Sequence, residues 1–292
     1  MKKDITELFC LVDDFSSAMQ EEMASHQIAS KNNRLPTRIS NLAESEIMTI
    51  LILFQQSPCR NFKYFYKSYL QLYAKEFPHL QSYERFVALM PRVLHLLVLL
   101  LNCLLSGRRN GVFYVDSTPI AVCHPKRISR HKVCKGLAEI GKTTKGWFFG
   151  FKLHTIIDER GNLVRVKITA GNTDDRAVVD DMTTNIKGLL FGDKGYISKE
   201  LFLKLYKRGL KIVTGIKKTM KNILMPVREK ILLRKRSLVE TVFDYLKNKF
   251  MLEHTRHRSP FNMFIHIVST LIAYQLKPTK PSISDDYALP NP

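Results

Sequence analysis

The sequence predicts an α/β protein in which a helical N-terminal region precedes a mixed β-sheet. Over residues 1–108, apolar residues recur at helical spacing between proline stops. From residue 109, short apolar runs alternate with turn signals. The expected order is three strands, a helix, a strand, a helix, a strand and a later helix, which is typical of a sheet with helices packed on it.

This change of pattern divides the chain into three regions. We expect residues 1–108 to be a helical DNA-binding domain, compatible with a helix-turn-helix reader, with a plain helical bundle as the alternative. Residues 109–276 carry the sheet and the candidate catalytic residues. The proline-rich segment 277–292 is expected to be a disordered tail.

The charge of the chain favours a polyanionic partner. Its 292 residues include 46 Lys and Arg against 26 Asp and Glu, a formal net charge of +20. Nucleic acid is the first candidate, because its phosphates are attracted to positive charge that is spread over a surface. The alternative is a soluble protein that is basic but has no such partner. Five cysteines without a secretory leader predict a reducing cytosol. The apolar run at residues 94–105 is short for a membrane span and predicts a buried helix, so no membrane partner is expected.

Two aspartates each follow a predicted buried strand. Asp116 comes after a Phe-Tyr-Val run and Asp193 after a Gly-Leu-Leu-Phe-Gly run. Ligands of open α/β sheets bind at strand ends, so these positions suit a shared site. An aspartate there can also simply begin a turn, and that alternative stays open for each one alone.

A third acid, Glu240, lies on a predicted helix near the end of the chain. Arg236, Glu240 and Lys247 are separated by four and then seven residues, which places them on one helix face. Two alternatives remain. Ser237 and Glu240 can form a capping box that uses the glutamate structurally, and Asp244 is a competing acid one turn later.

Three carboxylates in one place require a cation, because otherwise they raise one another's pKa. Mg²⁺ prefers oxygen ligands, takes one or two carboxylates and keeps waters for substrate phosphates. A pair of such ions can activate a nucleophile and stabilise the leaving oxygen in a phosphoryl displacement. The acids and the basic charge therefore predict the same chemistry on nucleic acid.

Five segments between residues 112 and 276 are more specific together, and in this order, than any one alone. They read YVDSTPIAVCH, TKGWFFGFKLH, AGNTDDR, GDKGY and RSLVETVFDYLK. They resemble the DDE transposases of bacterial insertion sequences, most closely the insertion sequence 982 family. The resemblance implies a ribonuclease H-like catalytic core in which Asp116, Asp193 and Glu240 hold two Mg²⁺ or Mn²⁺ ions.

In related transposases the last acid lies in the pattern Tyr-x2-Arg-x3-Glu-x6-Lys. Arg236, Glu240 and Lys247 fit that spacing, and Leu233 stands at the tyrosine position. The resemblance implies that Arg236 and Lys247 contact DNA phosphates or brace the glutamate. It also implies double-stranded DNA as the partner, a homodimer on DNA and a bacterial cytoplasmic location at the nucleoid.

The function implied is metal-dependent strand cleavage and strand transfer of an insertion sequence. Two alternatives use the same residues differently. One is a divalent-metal nuclease that cuts without joining, and the other is an inactive, transposon-derived DNA-binding protein. Intact Asp116, Asp193 and Glu240 argue against the inactive form.

Basic segments flank these acids. Residues 123–134, CHPKRISRHKVC, follow the first predicted strand, and residues 216–236 carry a second basic run. The cysteines and histidines of the first segment are zinc ligand types, but their spacing is unusual for a tetrahedral site. We interpret both segments as loops that bind the DNA backbone, with a solvated loop as the alternative. The residues expected to bind DNA are Lys126, Arg127, Arg130, Lys132, Lys217, Lys218, Arg236 and Lys247.

The segment AGNTDDR follows the third predicted strand. Asn172 and Asp175 can support the site from there, although a turn followed by a helix cap is the alternative that we favour.

Overall fold

The computed structural model describes residues 5–26, 41–105, 110–144, 146–217, 220, 224–254 and 257–283. The helices are α1 Ile5–His26, α2 Glu44–Gln56, α3 Phe62–Tyr64, α4 Tyr83–Leu89, α5 Leu94–Leu104, α6 Asp175–Met182, α7 Lys199–Lys207, α8 Val227–Arg234, α9 Ser237–Asp244 and α10 Pro260–Gln275. The strands are β1 Asn110–Cys123, β2 Glu139–Thr143, β3 Gly146–Asp158, β4 Leu163–Ala170, β5 Lys187–Gly192 and β6 Leu210–Thr214.

The chain forms two compact units. The first comprises the residues up to Leu104 together with Pro260–Tyr274. The second comprises Leu105–Ser259 and the residues from Gln275 onward. The sequence prediction placed residues 260–274 with the catalytic region, whereas their contacts group them with the N-terminal helices.

The first unit is helical, and its core is apolar and aromatic. The α2 helix is buried along nearly its whole length, because both its faces carry Ile, Leu and Met. The Tyr66 and Phe86 rings pack with centroids 4.8 Å apart. A hydrogen bond of 3.0 Å between Gln55 and His266 connects α2 to α10, which explains why the late helix belongs to this unit. The helix-turn-helix role stays a prediction.

One helical stretch among the described residues, Tyr83–Leu104, is long and apolar enough to cross a membrane by length and composition alone. It is interrupted by the 3-10 turn at Met90–Val93, which contains Pro91. Leu97 and Leu100 on α5 are buried within the protein. Core helices of soluble proteins have the same properties, so the expected absence of a membrane partner stays a prediction.

The second unit is built on a mixed sheet. Its strand order is β2-β3-β1-β5-β6, and β4 also pairs with β3. The pairs β1–β3, β2–β3 and β3–β4 are antiparallel, whereas β1–β5 and β5–β6 are parallel. The parallel crossovers pass through α6 and α7, whose apolar faces join sheet residues such as Phe113, Ile156 and Leu190 in one core cluster. This arrangement is the mixed α/β fold that the sequence predicts.

Two details of the sheet differ from the prediction. The first strand does not end at Asp116 but continues to Cys123, because β3 remains paired with it as far as Phe149. The sequence pattern also gave no sign of β2, the short edge strand before β3. Asp116 therefore lies inside a strand, beside the point where a neighbouring strand ends.

The first residues of the expected disordered tail have defined contacts. Lys280 donates hydrogen bonds to the carbonyl oxygens of Gln275 and Lys277, and the Ile283 N–H donates to the Glu159 carbonyl. Residues 277–283 thus have these contacts, and disorder of the segment 277–292 stays a prediction. Residues 284–292 lie outside the described part of the chain.

Candidate active site

The parallel pairing of β1 and β5 places two predicted acids side by side. Tyr114 is paired with Phe191 in this register. Extending the same register by two residues brings Asp116 opposite Asp193. Asp193 follows the last residue of β5, so its carboxylate lies where that strand stops while β1 continues.

Asp116 lies in a largely buried environment. Only 22 % of its side chain is exposed, and burial is the main cause that raises its pKa to about 6. The Ser117 N–H, which donates to Asp116 Oδ1 at 2.8 Å, and the Arg236 guanidinium both oppose this rise. The charges of Asp193 and Glu240 raise the pKa further. The three predicted acids thus lie close enough to act on one another.

Arg236 connects the two acids that come from distant parts of the chain. Its Nη1 donates to Asp116 Oδ2 and its Nη2 donates to Glu240 Oε1, each at 3.1 Å. Arg236 is itself 22 % exposed, whereas Glu240 is 60 % exposed. The guanidinium therefore supplies positive charge between the two carboxylates and fixes the position of α9 relative to β1.

The capping-box alternative for Glu240 is wrong. The N-cap position of α9 is Arg236, in helical backbone geometry and without a side-chain cap. Because the chain enters α9 almost directly from α8, Ser237 is already inside the helix. The carboxylate of Glu240 is thus available for Arg236. The competing acid Asp244 instead accepts a hydrogen bond from Asn248.

Lys247 braces the site region through backbone and side-chain contacts. Its Nζ donates to the Pro119 carbonyl at 2.7 Å and lies 3.2 Å from Glu253 Oε1. The same Glu253 oxygen accepts from the Ala121 N–H at 3.2 Å. These bonds attach the segment after α9 to the late part of β1. Contact of Lys247 with a DNA phosphate stays a prediction.

A fourth carboxylate, Asp175, lies next to the predicted acids. Its Oδ2 accepts from Ser117 Oγ at 3.0 Å, and its Oδ1 accepts from Lys152 Nζ at 3.0 Å. Ser117 is the residue directly after Asp116, so this network holds the backbone that presents the first acid. The side chain that caps α6 is that of Asp174, which accepts a hydrogen bond from the Arg176 N–H at 2.9 Å. The segment AGNTDDR thus supplies the helix cap through Asp174 rather than Asp175, and support of the catalytic site by Asp175 stays a prediction.

A signal for this network was present in the sequence. Lys152 and His154 alternate on β3, a strand that is otherwise almost entirely apolar. Buried polar side chains need partners. Lys152 donates to Asp175 and to the Thr173 carbonyl, and His154 Nε2 is hydrogen-bonded to Thr169 Oγ1 at 2.8 Å. His154 lies 3.8 Å from Asp175, and burial lowers its pKa to about 4, so it is neutral at physiological pH.

The CHPKRISRHKVC segment folds into an exposed basic turn between two buried cysteines. A 3-10 turn spans Pro125–Arg130, and the side chains of Lys126, Arg127, Arg130 and Lys132 are exposed. Lys217 is also exposed, whereas Lys218 lies outside the described residues. The predicted basic side chains of this turn are thus free to face solvent or a polyanion.

The zinc alternative for this segment gains no support. Burial raises the pKa of the Cys123 and Cys134 thiols, which disfavours the thiolates that zinc requires. One nitrogen each of His124 and His131 accepts a backbone N–H, from Lys126 and Cys134 respectively. In the described parts of the chain, no three His, Cys, Asp or Glu side chains form a ready-made metal cluster. Asp116, Asp193 and Glu240 therefore do not form such a cluster as they stand in this structure.

Comparison with known families decides the class of this site. A family model described as a transposase DDE domain matches residues 106–260, which is more than half of the chain. The chain belongs to the family of DDE transposases. The matched region contains Asp116, Asp193, Glu240 and Arg236, and their roles in the site stay a prediction. No curated protein matches the sequence.

One solved transposase shares the fold of this DDE transposase. The piggyBac transposase synaptic complex with hairpin DNA has a TM-score of 0.51 at 10 % sequence identity, covering 97 % of this chain and 78 % of that one. The Mos1 mariner paired end complex with Mn has a TM-score of 0.24 at 13 % identity, covering 94 % and 98 %. The Mos1 strand transfer complex has a TM-score of 0.23 at 12 % identity, covering 89 % and 86 %. The first likeness agrees with the predicted fold class.

The neighbouring acids Asp174 and Asp175 provide a matched test of the network in this transposase. Asp175→Asn should destabilise the fold by about 1–3 kcal/mol, because it leaves the largely buried Lys152 ammonium without a carboxylate. We also expect activity to fall about 10–100-fold, as when a group that orients a metal ligand is removed. Asp174→Asn keeps an N-cap side chain and should cost less than about 1 kcal/mol. Chemical denaturation of both variants measures the difference, and equal losses would contradict the network.

Proposed function

We propose that this chain is an insertion-sequence transposase that cuts DNA strands and joins them to a target. The observation that carries the proposal is the approach of Asp116 and Asp193 at one sheet edge, with Glu240 tied to the same place through Arg236. The family membership supports DNA as the substrate. The narrower assignment to the insertion sequence 982 family rests on the motifs alone.

The three acids suit a hard divalent cation. Their donors are carboxylate oxygens, which Mg²⁺ and Mn²⁺ prefer, and burial raises the pKa of Asp116 to about 6, so a bound cation would favour its ionised form. We assign Asp116, Asp193 and Glu240 as the ligands of two such ions. The ions would polarise the phosphodiester and lower the pKa of the attacking hydroxyl.

The residues of the chain have separate tasks in this reaction. The Ser117–Asp175–Lys152 network holds the strand that carries Asp116. Arg236 keeps Glu240 next to that strand, and Lys247 holds the end of the helical segment against β1. Each of these tasks orients groups before DNA arrives, which lowers the cost of assembling the transition state.

The exposed basic turn is proposed to hold the DNA backbone. Arg127→Ala combined with Arg130→Ala should weaken duplex binding and flatten the dependence of affinity on salt. Each lost phosphate contact lowers the slope of log K against log salt by about 0.9. Titrations at several salt concentrations measure this slope. An unchanged slope would show that these arginines do not contact phosphates.

Joining separates a transposase from a nuclease that only cuts. The test uses a labelled, pre-cut DNA from either side of the gene, a supercoiled target plasmid and Mg²⁺ or Mn²⁺. We expect labelled DNA to become covalently attached to the plasmid. Cleavage without attachment would support the nuclease alternative, and binding without either reaction would support an inactive DNA-binding protein. A homodimer on DNA and a bacterial nucleoid location complete the proposal and follow from the family resemblance.

A further inference from the structure

The chain has a single tryptophan, and it is exposed at a hairpin rather than buried in a core. Trp147 is 63 % exposed at the start of β3. It pairs directly with Lys142 across the β2–β3 hairpin, and the Lys142 ammonium lies 5.3 Å from the centre of the ring. The lysine covers part of the ring, and most of the indole surface remains open to solvent.

The surroundings of Trp147 are strongly basic. Between Ser117 and Ile157 the sequence contains Glu139 as its one acid. The basic residues of the same stretch are Lys126, Arg127, Arg130, Lys132, Lys135, Lys142, Lys145 and Lys152. The turn Pro125–Arg130 contacts β3, and the end of β1 pairs with Phe149, two residues from Trp147. The strand that carries the exposed ring therefore contacts the basic turn.

An exposed aromatic ring among basic side chains has the chemistry of a single-stranded DNA platform. Bases stack on such rings with about 1–3 kcal/mol each, while the cations attract the backbone. A paired base cannot offer its face, so stacking selects unpaired nucleotides. The Lys142 ammonium over the ring adds a positive charge that would attract a phosphate of the bound strand.

We propose that Trp147 and Lys142 form a binding site for an unpaired DNA base, separate from the predicted catalytic acids. Asp116 pairs with Thr155 on β3, and Trp147 lies eight residues earlier. At about 3.4 Å per residue, the two are about 27 Å apart along the strand. A single strand of DNA that follows β3 would therefore have to span about 27 Å between the phosphate at Asp116 and the base on Trp147. This proposal rests on the proposed function only in taking DNA as the partner.

The single tryptophan reports on its own site, because the intrinsic indole fluorescence of the whole chain comes from Trp147. Oligothymidine of about 20 nucleotides should quench this fluorescence, and a duplex of equal length should quench it much less. Trp147→Ala should weaken oligothymidine binding about tenfold or more, as measured by anisotropy of a labelled oligonucleotide. Trp147→Phe should restore most of that affinity because it keeps an aromatic face.

Tyr206→Ala is the matched control. Tyr206 is 60 % exposed on α7 of the same unit, so its loss removes a comparable exposed ring. We expect it to leave oligothymidine binding unchanged. Duplex binding with no quenching by oligothymidine would overturn the base site while leaving the proposed function intact. A change of fluorescence with protein concentration alone would show that the ring contacts a second copy, and would also overturn it. Absence of binding to both DNAs would contradict the proposed function itself.

Discussion

Replacing Asp116 with Asn should abolish DNA cleavage and, at the same time, stabilise the fold at neutral pH. Loss of one metal-binding carboxylate removes several kcal/mol of transition-state stabilisation, which corresponds to a rate at least about 10³-fold lower. The gain in stability has a separate cause. Burial raises the pKa of Asp116 to about 6, so the ionised form is unfavourable in the folded chain. Asparagine keeps the shape and removes the charge.

The sign of the stability effect depends on pH. The carboxyl has an ordinary pKa of 3.8 and a folded pKa of about 6. The folded state therefore binds the proton more tightly, and its stability falls as pH rises from below 3.8 to above 6. The advantage of Asp116→Asn should be complete above pH 6 and vanish below pH 3.8.

Thermal unfolding in the absence of metal measures this effect. In a protein of roughly this size, each kcal/mol of stability shifts the midpoint temperature of unfolding by about 2–4 °C. The control is Asp244→Asn, an exposed acid that should alter neither property. Retained cleavage by Asp116→Asn would contradict its assignment, and a lower midpoint than wild type at neutral pH would contradict the burial argument.

Replacing Arg236 with Ala should lower the cleavage rate about 10²-fold and shift its pH dependence upward. The rate falls because Glu240 and Asp116 lose the group that holds them together, a loss comparable to removing a preorganised donor. The pH dependence shifts because the guanidinium lowers the pKa of Asp116, so its removal raises that pKa above about 6. More alkaline solutions are then needed to ionise the carboxylate for metal binding.

Rates measured across pH at a metal concentration below saturation test this shift. Arg234→Ala is the matched control, since it removes the same charge from an exposed position two residues earlier. Arg236→Lys should retain a cation but not both bonds, and so give an intermediate rate. An Arg236→Ala variant with the pH midpoint of wild type would contradict the bracing role. A flatter salt dependence in this variant than in Arg234→Ala would show that Arg236 also contacts a DNA phosphate.

Local pattern predicted five of the six strands that the structure describes and singled out the three acids, whereas the short edge strand β2 was missed. Buried strands end in polar residues, and the alternation of apolar runs with helices identified the sheet. The full length of β1 was not predicted from the local pattern. The strand runs past Asp116 because β3 still pairs with it, although β5 has ended. Pro119 is tolerated there because one edge of β1 is by then without a strand partner.

The contacts that position the acids were harder to foresee because they join distant parts of the chain. Arg236 and Asp116 are 120 residues apart, and Ser117 and Asp175 are 58 apart. Local rules favoured a capping box for Glu240 and a helix cap for Asp175, since both patterns fit their neighbours in sequence. The partners that bind Asp175, Ser117 and Lys152, come from other strands. The partner of Glu240 is Arg236, four residues earlier, which also reaches Asp116 on β1.

The central claim is that Asp116, Asp193 and Glu240 together catalyse metal-dependent DNA cleavage. The most direct measurement incubates the full chain with DNA from either side of its gene and titrates Mg²⁺, then Mn²⁺. Asp193→Asn and Glu240→Gln are treated in parallel after their folding has been verified by circular dichroism. Cleavage that requires the metal and is lost in both variants is the predicted result. Cleavage that survives unchanged in Glu240→Gln would contradict the assignment of the third acid and, with it, the site as described.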